Sequence, residues 1–196
     1  MLTIACLLKA GGPDFNEKHV ARLRKQCERI PHERFVCLSD VDVPCERIAL
    51  LHKWPRWWGQ CELFRPGLFS GPVIYMDLDT TVLADPGINI EPGDFWSLKC
   101  QRKGVPTSGI MGWWGDFSKI YEAAQTTDTD PYRWVNEGIF PHVRPKLLQD
   151  HLPGFYSYKD HVRGKQLPVD AAVIYFHGKP RPWRLPDDEP HKAVLQ

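Results

Sequence analysis

Val73-Ile74-Tyr75-Met76-Asp77-Leu78-Asp79-Thr80-Thr81 is the stretch that orients the rest of the chain. Four apolar residues, preceded by the turn pair Gly71-Pro72, read as a buried strand. Two carboxylates, one residue apart, leave its C-terminal end. In open α/β sheets ligands bind beyond the carboxyl ends of the strands. Anions this close repel unless a cation or proton intervenes, and hard oxygen ligands suit Mg²⁺ or Mn²⁺. The plainer alternative is one Asp capping the next turn while the other faces water; the strand context favours the metal.

Upstream, Leu2–Leu8 is an apolar run that ends at Lys9-Ala10-Gly11-Gly12, a strand followed by a loop. Asp14, with Glu17 three residues on, fits the capping box of a helix. Val20, Leu23, Cys27 and Ile30 then recur at i, i+3, i+7 and i+10, one apolar helix face stopped at Pro31. Arg34–Leu38 is the next strand. Strand, helix and strand in this order open a βαβ unit and place the chain in the α/β class with a mainly parallel sheet. Ile48–Leu51 is a third short strand, and Trp57–Arg65 is helical. Downstream, Phe95–Leu98 is a strand, and Phe117, Ile120, Tyr121 and Ala124 mark a short amphipathic helix. Val173–Phe176 is a late strand running into His177-Gly178. The reading is one domain over residues 1–183 and a polar, proline-rich surface tail over 184–196.

Composition removes several classes. The 196 residues carry 25 Lys and Arg against 24 Asp and Glu, a net charge of +1. That leaves no bulk electrostatic case for nucleic acid or an anionic membrane. The longest apolar runs are far short of the ~20 residues of a membrane span. The six cysteines include no C-x-x-C pair, so they read as small buried hydrophobes rather than a zinc or redox site. Met1–Ala10 has no basic leader region, and the expectation is a reduced, cytoplasmic protein. P-loop, dinucleotide fingerprint and Ser/His/Asp patterns are missing from the sequence, against NTPase, dehydrogenase and hydrolase readings.

Two enzyme classes use the carboxylate pattern. In haloacid-dehalogenase-like phosphatases, D-x-D-x-[T/V] would match Asp77, Asp79 and Thr81, with Asp77 as nucleophile. That motif normally ends the first strand of its domain, whereas here a βαβ start precedes it, and the acidic pair Asp187-Asp188 lies in the polar tail. The other class is the GT-A glycosyltransferases. The chain resembles the glycogenin-like family eight and its shorter bacterial and phage relatives in five blocks, in family order, over residues 2–183. They are Leu2–Lys9, Trp57–Phe64, Ile74–Thr80, the weaker Thr107–Met111, and Phe176–Trp183.

The resemblance implies a GT-A-type, Rossmann-like mixed sheet flanked by helices, and a nucleotide-sugar donor, most simply a UDP-sugar. Asp77 and Asp79 would hold Mn²⁺ or Mg²⁺ against the diphosphate, and His177 would complete the metal ligands. Lys179 and Arg181 would flank the diphosphate, Lys9 would sit near the nucleotide, and Gln60 near the donor sugar. The acceptor would be a carbohydrate or other hydroxyl, with Glu137 positioning it and Asp160 and Asp170 ranking below. The family favours retention. A non-catalytic nucleotide-sugar binding protein is the third reading.

Departures from the family are specific. The usual late motif is His-x-x-Gly-x-x-Lys-Pro-Trp, whereas here Gly178 follows His177 directly and Arg181 precedes Pro182-Trp183. Gln60 stands where relatives carry Arg or Lys, and Thr107 where Asn is common. The clusters Trp54, Trp57, Trp58 and Trp113-Trp114 could stack on sugar faces, but core packing is the stronger reading for most of them.

Overall fold

In Thr3–Leu8 (β1) successive side chains go to opposite faces, as the period of a strand requires. Ile4, Cys6 and Leu8 join one buried cluster and Ala5 the other. The same split recurs in Val73–Met76 (β4), where Ile74 and Met76 face one layer and Val73 and Tyr75 the other. A strand covered on both sides reads as an unbroken apolar run, which is why this one is legible in the sequence. The computed structural model describes residues 1–101, 103–127 and 135–196, and for residue 56 the backbone alone.

The remaining strands are β2 (Arg34–Ser39), β3 (Glu46–Ala49), β5 (Thr81–Val82), β6 (Phe95–Lys99), β7 (Pro106–Trp113), β8 (Lys146–Leu147), β9 (Phe155–Ser157) and β10 (Val173–Tyr175). Seven form the central sheet in the order β3-β2-β1-β4-β7-β6-β8. Neighbours are parallel except around β7, which is antiparallel to β4 and to β6. The fold is therefore α/β with a mixed, mainly parallel sheet. The C-terminal ends of β1, β2, β4, β6 and β8 share one edge. A second sheet, β5-β10-β9, stands beside it.

Helix α1 (Glu17–Cys27) buries Val20, Leu23 and Cys27, the face its spacing predicts. Its cap differs from the expectation. Asn16, not Asp14, accepts the Lys18 N–H, and His19 Nδ1 reaches back to the Asn16 N–H at 2.9 Å. Asp14 is left for ion pairs with the C-terminal segment. The third strand is Glu46–Ala49 rather than Ile48–Leu51. The predicted helix at Trp57–Arg65 is a 3₁₀ segment, Arg56–Phe64, packed with α2 (Ser118–Thr126) on the second face. Trp58 and Trp113 are core residues of that face.

Two corrections bear on the site. The late strand, read as Val173–Phe176, is Val173–Tyr175, and it lies not in the sheet of Val73–Met76 but in the second one, antiparallel to β5 and parallel to β9. The segment after Trp183 is polar in sequence, yet Leu185 and Leu195 are buried with Tyr158, Val162, Ile174 and Phe176 in a third cluster. These two residues anchor the segment, which ends in a short helix, Lys192–Leu195. Among the described residues no helix is long and apolar enough to cross a membrane.

Candidate active site

Asp77 follows β4 directly, and its N–H donates to the Gly109 carbonyl of β7 at 2.9 Å. Thr80 N–H returns to the Asp77 carbonyl at 2.9 Å, closing a tight turn that carries both carboxylates. The turn is clamped from behind by Arg22 of α1. Its guanidinium donates to the carbonyls of Thr80 at 3.0 Å and Leu195 at 2.8 Å, to Thr81 Oγ1 at 2.5 Å and to the Gln196 carbonyl at 2.6 Å. Five N–H donors in one rigid fork make Arg the residue that can join a helix, a turn and a distant segment at once.

Asp77 Oδ1 accepts two hydrogen bonds, from Tyr75 Oη at 2.7 Å and Gln60 Nε2 at 3.1 Å. Gln60 Nε2 also donates to Tyr75 Oη at 2.9 Å, so the three side chains form a closed triangle. Gln60 Oε1 is buried beside it without a hydrogen-bond partner. On the opposite side, a Cβ at residue 109 would stand 3.4 Å from Asp77 Oδ2, so the glycine keeps β7 close to that oxygen without a side chain against it. Tyr75 was read from sequence as a core residue of the strand. Its place two residues before Asp77, on the same strand face, is the signal that could have shown its polar role.

Asp79 is 3% exposed. Arg181 Nη1 donates to its Oδ2 in a tight ion pair, and Arg181 Nη2 lies 3.8 Å from Asp14 Oδ2. Burial raises the proton affinity of both carboxyls, and at Asp77 the neighbouring charge of Asp79 adds to it. Arg181 opposes the rise at Asp79, and Tyr75, Arg181 and Gln60 oppose it at Asp77. Two anions forced together without water are a site for a cation. The paired hard oxygens and the orphaned Gln60 amide oxygen are of the type that fits a divalent ion such as Mg²⁺ or Mn²⁺.

The other expected residues are only partly gathered here. His177 Nε2 lies 2.8 Å from Ser157 Oγ and 3.4 Å from Asp160 Oδ2, so its imidazole is engaged within the second sheet rather than with Asp77 and Asp79. The reason is the strand assignment: β10 continues beside β9, whose last residue is Ser157. Among the described residues, no three His, Cys, Asp or Glu side chains form a metal-holding group. Lys9, one residue past β1, donates to the Trp54 carbonyl and lies at the same sheet edge. Lys179 is exposed on the loop that carries Arg181. Glu137 is exposed on α3 (Asn136–Ile139), which Asn136 ties to β7 by accepting the Ser108 N–H at 3.1 Å. Asp170 accepts from Tyr156 Oη at 2.8 Å, away from the pair.

Solved structures of glycosyltransferases share this fold. The galactosyltransferase LgtC, in complex with donor and acceptor sugar analogues, aligns over 98% of this chain and 93% of its own, with TM-score 0.55 and 10% identity. A glycosyltransferase involved in glycosylation of the major capsid of PBCV-1 aligns over 98% of both chains, with TM-score 0.59 and 13% identity. GlyE of Streptococcus pneumoniae TIGR4 aligns over the whole of this chain and 60% of its own, with TM-score 0.65 and 9% identity. The chain has the fold of these glycosyltransferases. No family model matches its sequence, and no curated protein does. At such identities the likeness establishes the GT-A-type architecture and leaves the chemistry to the site.

Proposed function

We propose that this chain is a glycosyltransferase. It moves a sugar from a nucleoside-diphosphate donor, a UDP-sugar, to a hydroxyl of a carbohydrate or similar acceptor, with retention. The observation that carries the reading is the Asp77–Asp79 pair at the C-terminal end of β4, in a sheet with the glycosyltransferase fold. Asp77 and Asp79 would hold Mn²⁺ or Mg²⁺, which neutralises the charge developing on the departing diphosphate. His177 is held by Ser157 and Asp160, so the reading rests on the two carboxylates.

The chain's own groups divide the remaining work. Tyr75 and Gln60 fix the Asp77 carboxylate in one orientation, so no reorganisation is needed when charge develops. Arg181 and Lys179 bring positive charge to the diphosphate side, and Lys9 lies at the end of β1 for the nucleotide. Glu137 stands on the β7 side of the edge, where an acceptor hydroxyl can be oriented. The six cysteines are free thiols, which suits a reducing cytoplasm. The phosphatase alternative loses support from one contact: Asp187 of the acidic pair is exposed and bound to Lys192.

Thermal shift and calorimetry with nucleoside diphosphates and their sugars, with and without Mn²⁺, test the reading. Metal-dependent stabilisation by UDP, lost in a folded Asp79→Ala variant, is the expected result. Turnover of an aryl phosphate that Asp77→Asn abolishes would replace this reading with the phosphatase.

A further inference from the structure

Asp79 already has a cation. The Arg181 guanidinium holds its Oδ2, and a guanidinium and a divalent ion cannot both occupy that oxygen without strong repulsion at contact distance. Arg181 is also incompletely satisfied where it stands: its Nε is buried with no hydrogen-bond acceptor. The residue is carried on an irregular connection between β10 and a single 3₁₀ turn, Pro182–Arg184. That connection is fastened to the Pro13–His19 segment by other contacts. Trp183 stacks on His19 at 3.7 Å between ring centroids, Arg184 pairs with Asp14 at 3.1 Å, and Arg184 Nη2 donates to the Pro13 carbonyl. The fastening keeps Arg181 close whether or not it holds Asp79. The Arg181 guanidinium lies over the Phe15 ring at 4.8 Å, a surface that tolerates a cation changing partner.

Building on the function proposed above, we propose that Arg181 is an exchangeable counter-ion: it leaves Asp79 when a divalent cation binds, and the donor diphosphate then takes up the released guanidinium. A diphosphate offers acceptor oxygens to the whole fork, including the Nε that Asp79 leaves unused. Metal alone must therefore break the Arg181–Asp79 pair without compensation, whereas metal with diphosphate recovers it. The consequence is reciprocal coupling between the two ligands, with Arg181 as the element both of them bias. A residue that only contacts phosphate would leave the affinity for bare metal unchanged. An exchanging residue opposes it.

Calorimetric titration of Mn²⁺ alone, and of Mn²⁺ in saturating UDP, separates the cases in wild type, Arg181→Met and Arg181→Gln, each checked for a cooperative melt. Two neutral replacements are used so that one failing to fold does not end the test. The expected result is tighter binding of bare Mn²⁺ in the variants, by about 5-fold or more, a coupling of the usual allosteric size. The enhancement of Mn²⁺ affinity by UDP should shrink in the same variants. Unchanged or weaker binding of bare Mn²⁺, with wild type still binding Mn²⁺ and UDP together, overturns the exchange and leaves the glycosyltransferase reading intact. Absence of Mn²⁺ uptake by wild type, with and without UDP, removes the metal reading itself and the exchange with it.

Discussion

Tyr75 and Asp77, two residues apart at the end of one strand, are joined through their side chains: Tyr75 Oη donates to Asp77 Oδ1 at 2.7 Å. Tyr75 is buried and burial pushes its phenol further above its ordinary range, so it remains a donor at any working pH. Asp77 therefore has one carboxylate oxygen held in place by two side-chain donors.

Tyr75→Phe tests that division. The ring stays in the core and only the hydroxyl goes, which leaves Gln60 as the single side-chain donor to Oδ1 among the described residues. The net worth of such a bond to a charged group is about 1.5–3 kcal/mol. Metal-dependent UDP affinity should fall by roughly 10-fold, read by calorimetry, with Tm changed by no more than a few degrees.

Asp77→Asn should stabilise the protein above neutral pH. Both carboxyls hold their protons more tightly in the fold than in the unfolded chain, because burial disfavours both anions and the charge of Asp79 further disfavours that of Asp77. A raised carboxyl pKa means the folded state binds more protons than the unfolded one, so wild-type stability falls as pH rises from the ordinary carboxylate range, near 4, to about 7. Asparagine can still accept from Tyr75 and carries no charge. The variant should melt close to wild type at pH 4.5 and above it at pH 8, by about 1–2 kcal/mol or ~3–6 °C, in metal-free buffer. A Tm difference that does not grow with pH contradicts the electrostatic account.

Arg22→Met removes the clamp behind the carboxylate turn. It leaves the carbonyls of Thr80 and Leu195 and the Thr81 hydroxyl short of a donor, while Thr81 Oγ1 keeps its own bond to the Leu195 carbonyl at 2.8 Å. Loss of a buried network of this kind costs about 2–4 kcal/mol. Hydrogen exchange should rise at residues 78–82 and 192–196 together, since one side chain holds both. A rise confined to the C-terminal residues would show that the turn stands without Arg22.

Gly138→Ala should be costly although the position is helical. A Cβ there would meet Trp58 Cζ3 at 2.6 Å, and Trp58 is buried in the second-face cluster. Overpacking of this type costs about 1–3 kcal/mol. Because α3 also carries Glu137, acceptor-side kinetics should suffer beyond the loss of stability, whereas UDP binding measured well below Tm should not.

What the sequence determined by itself was whatever repeats over a few residues. The unbroken burial of Val73–Met76, the Val20-Leu23-Cys27 face of α1 and the two carboxylates at a strand end follow from local pattern, and all three stand in the fold. The tertiary structure alone decided which groups meet. Arg181 and Asp79 are 102 positions apart, and no periodicity links them. Their pairing follows from β10 entering a second sheet and from the C-terminal segment docking on Leu185 and Leu195. The same strand placement turned His177 to Ser157. β7 was legible only as a motif around Gly109, because an antiparallel strand between β4 and β6 is specified by its partners' edges rather than by its own pattern. Local pattern sets which residues are buried and charged; the counter-ion each buried charge receives is set by chain paths that no short window of sequence contains.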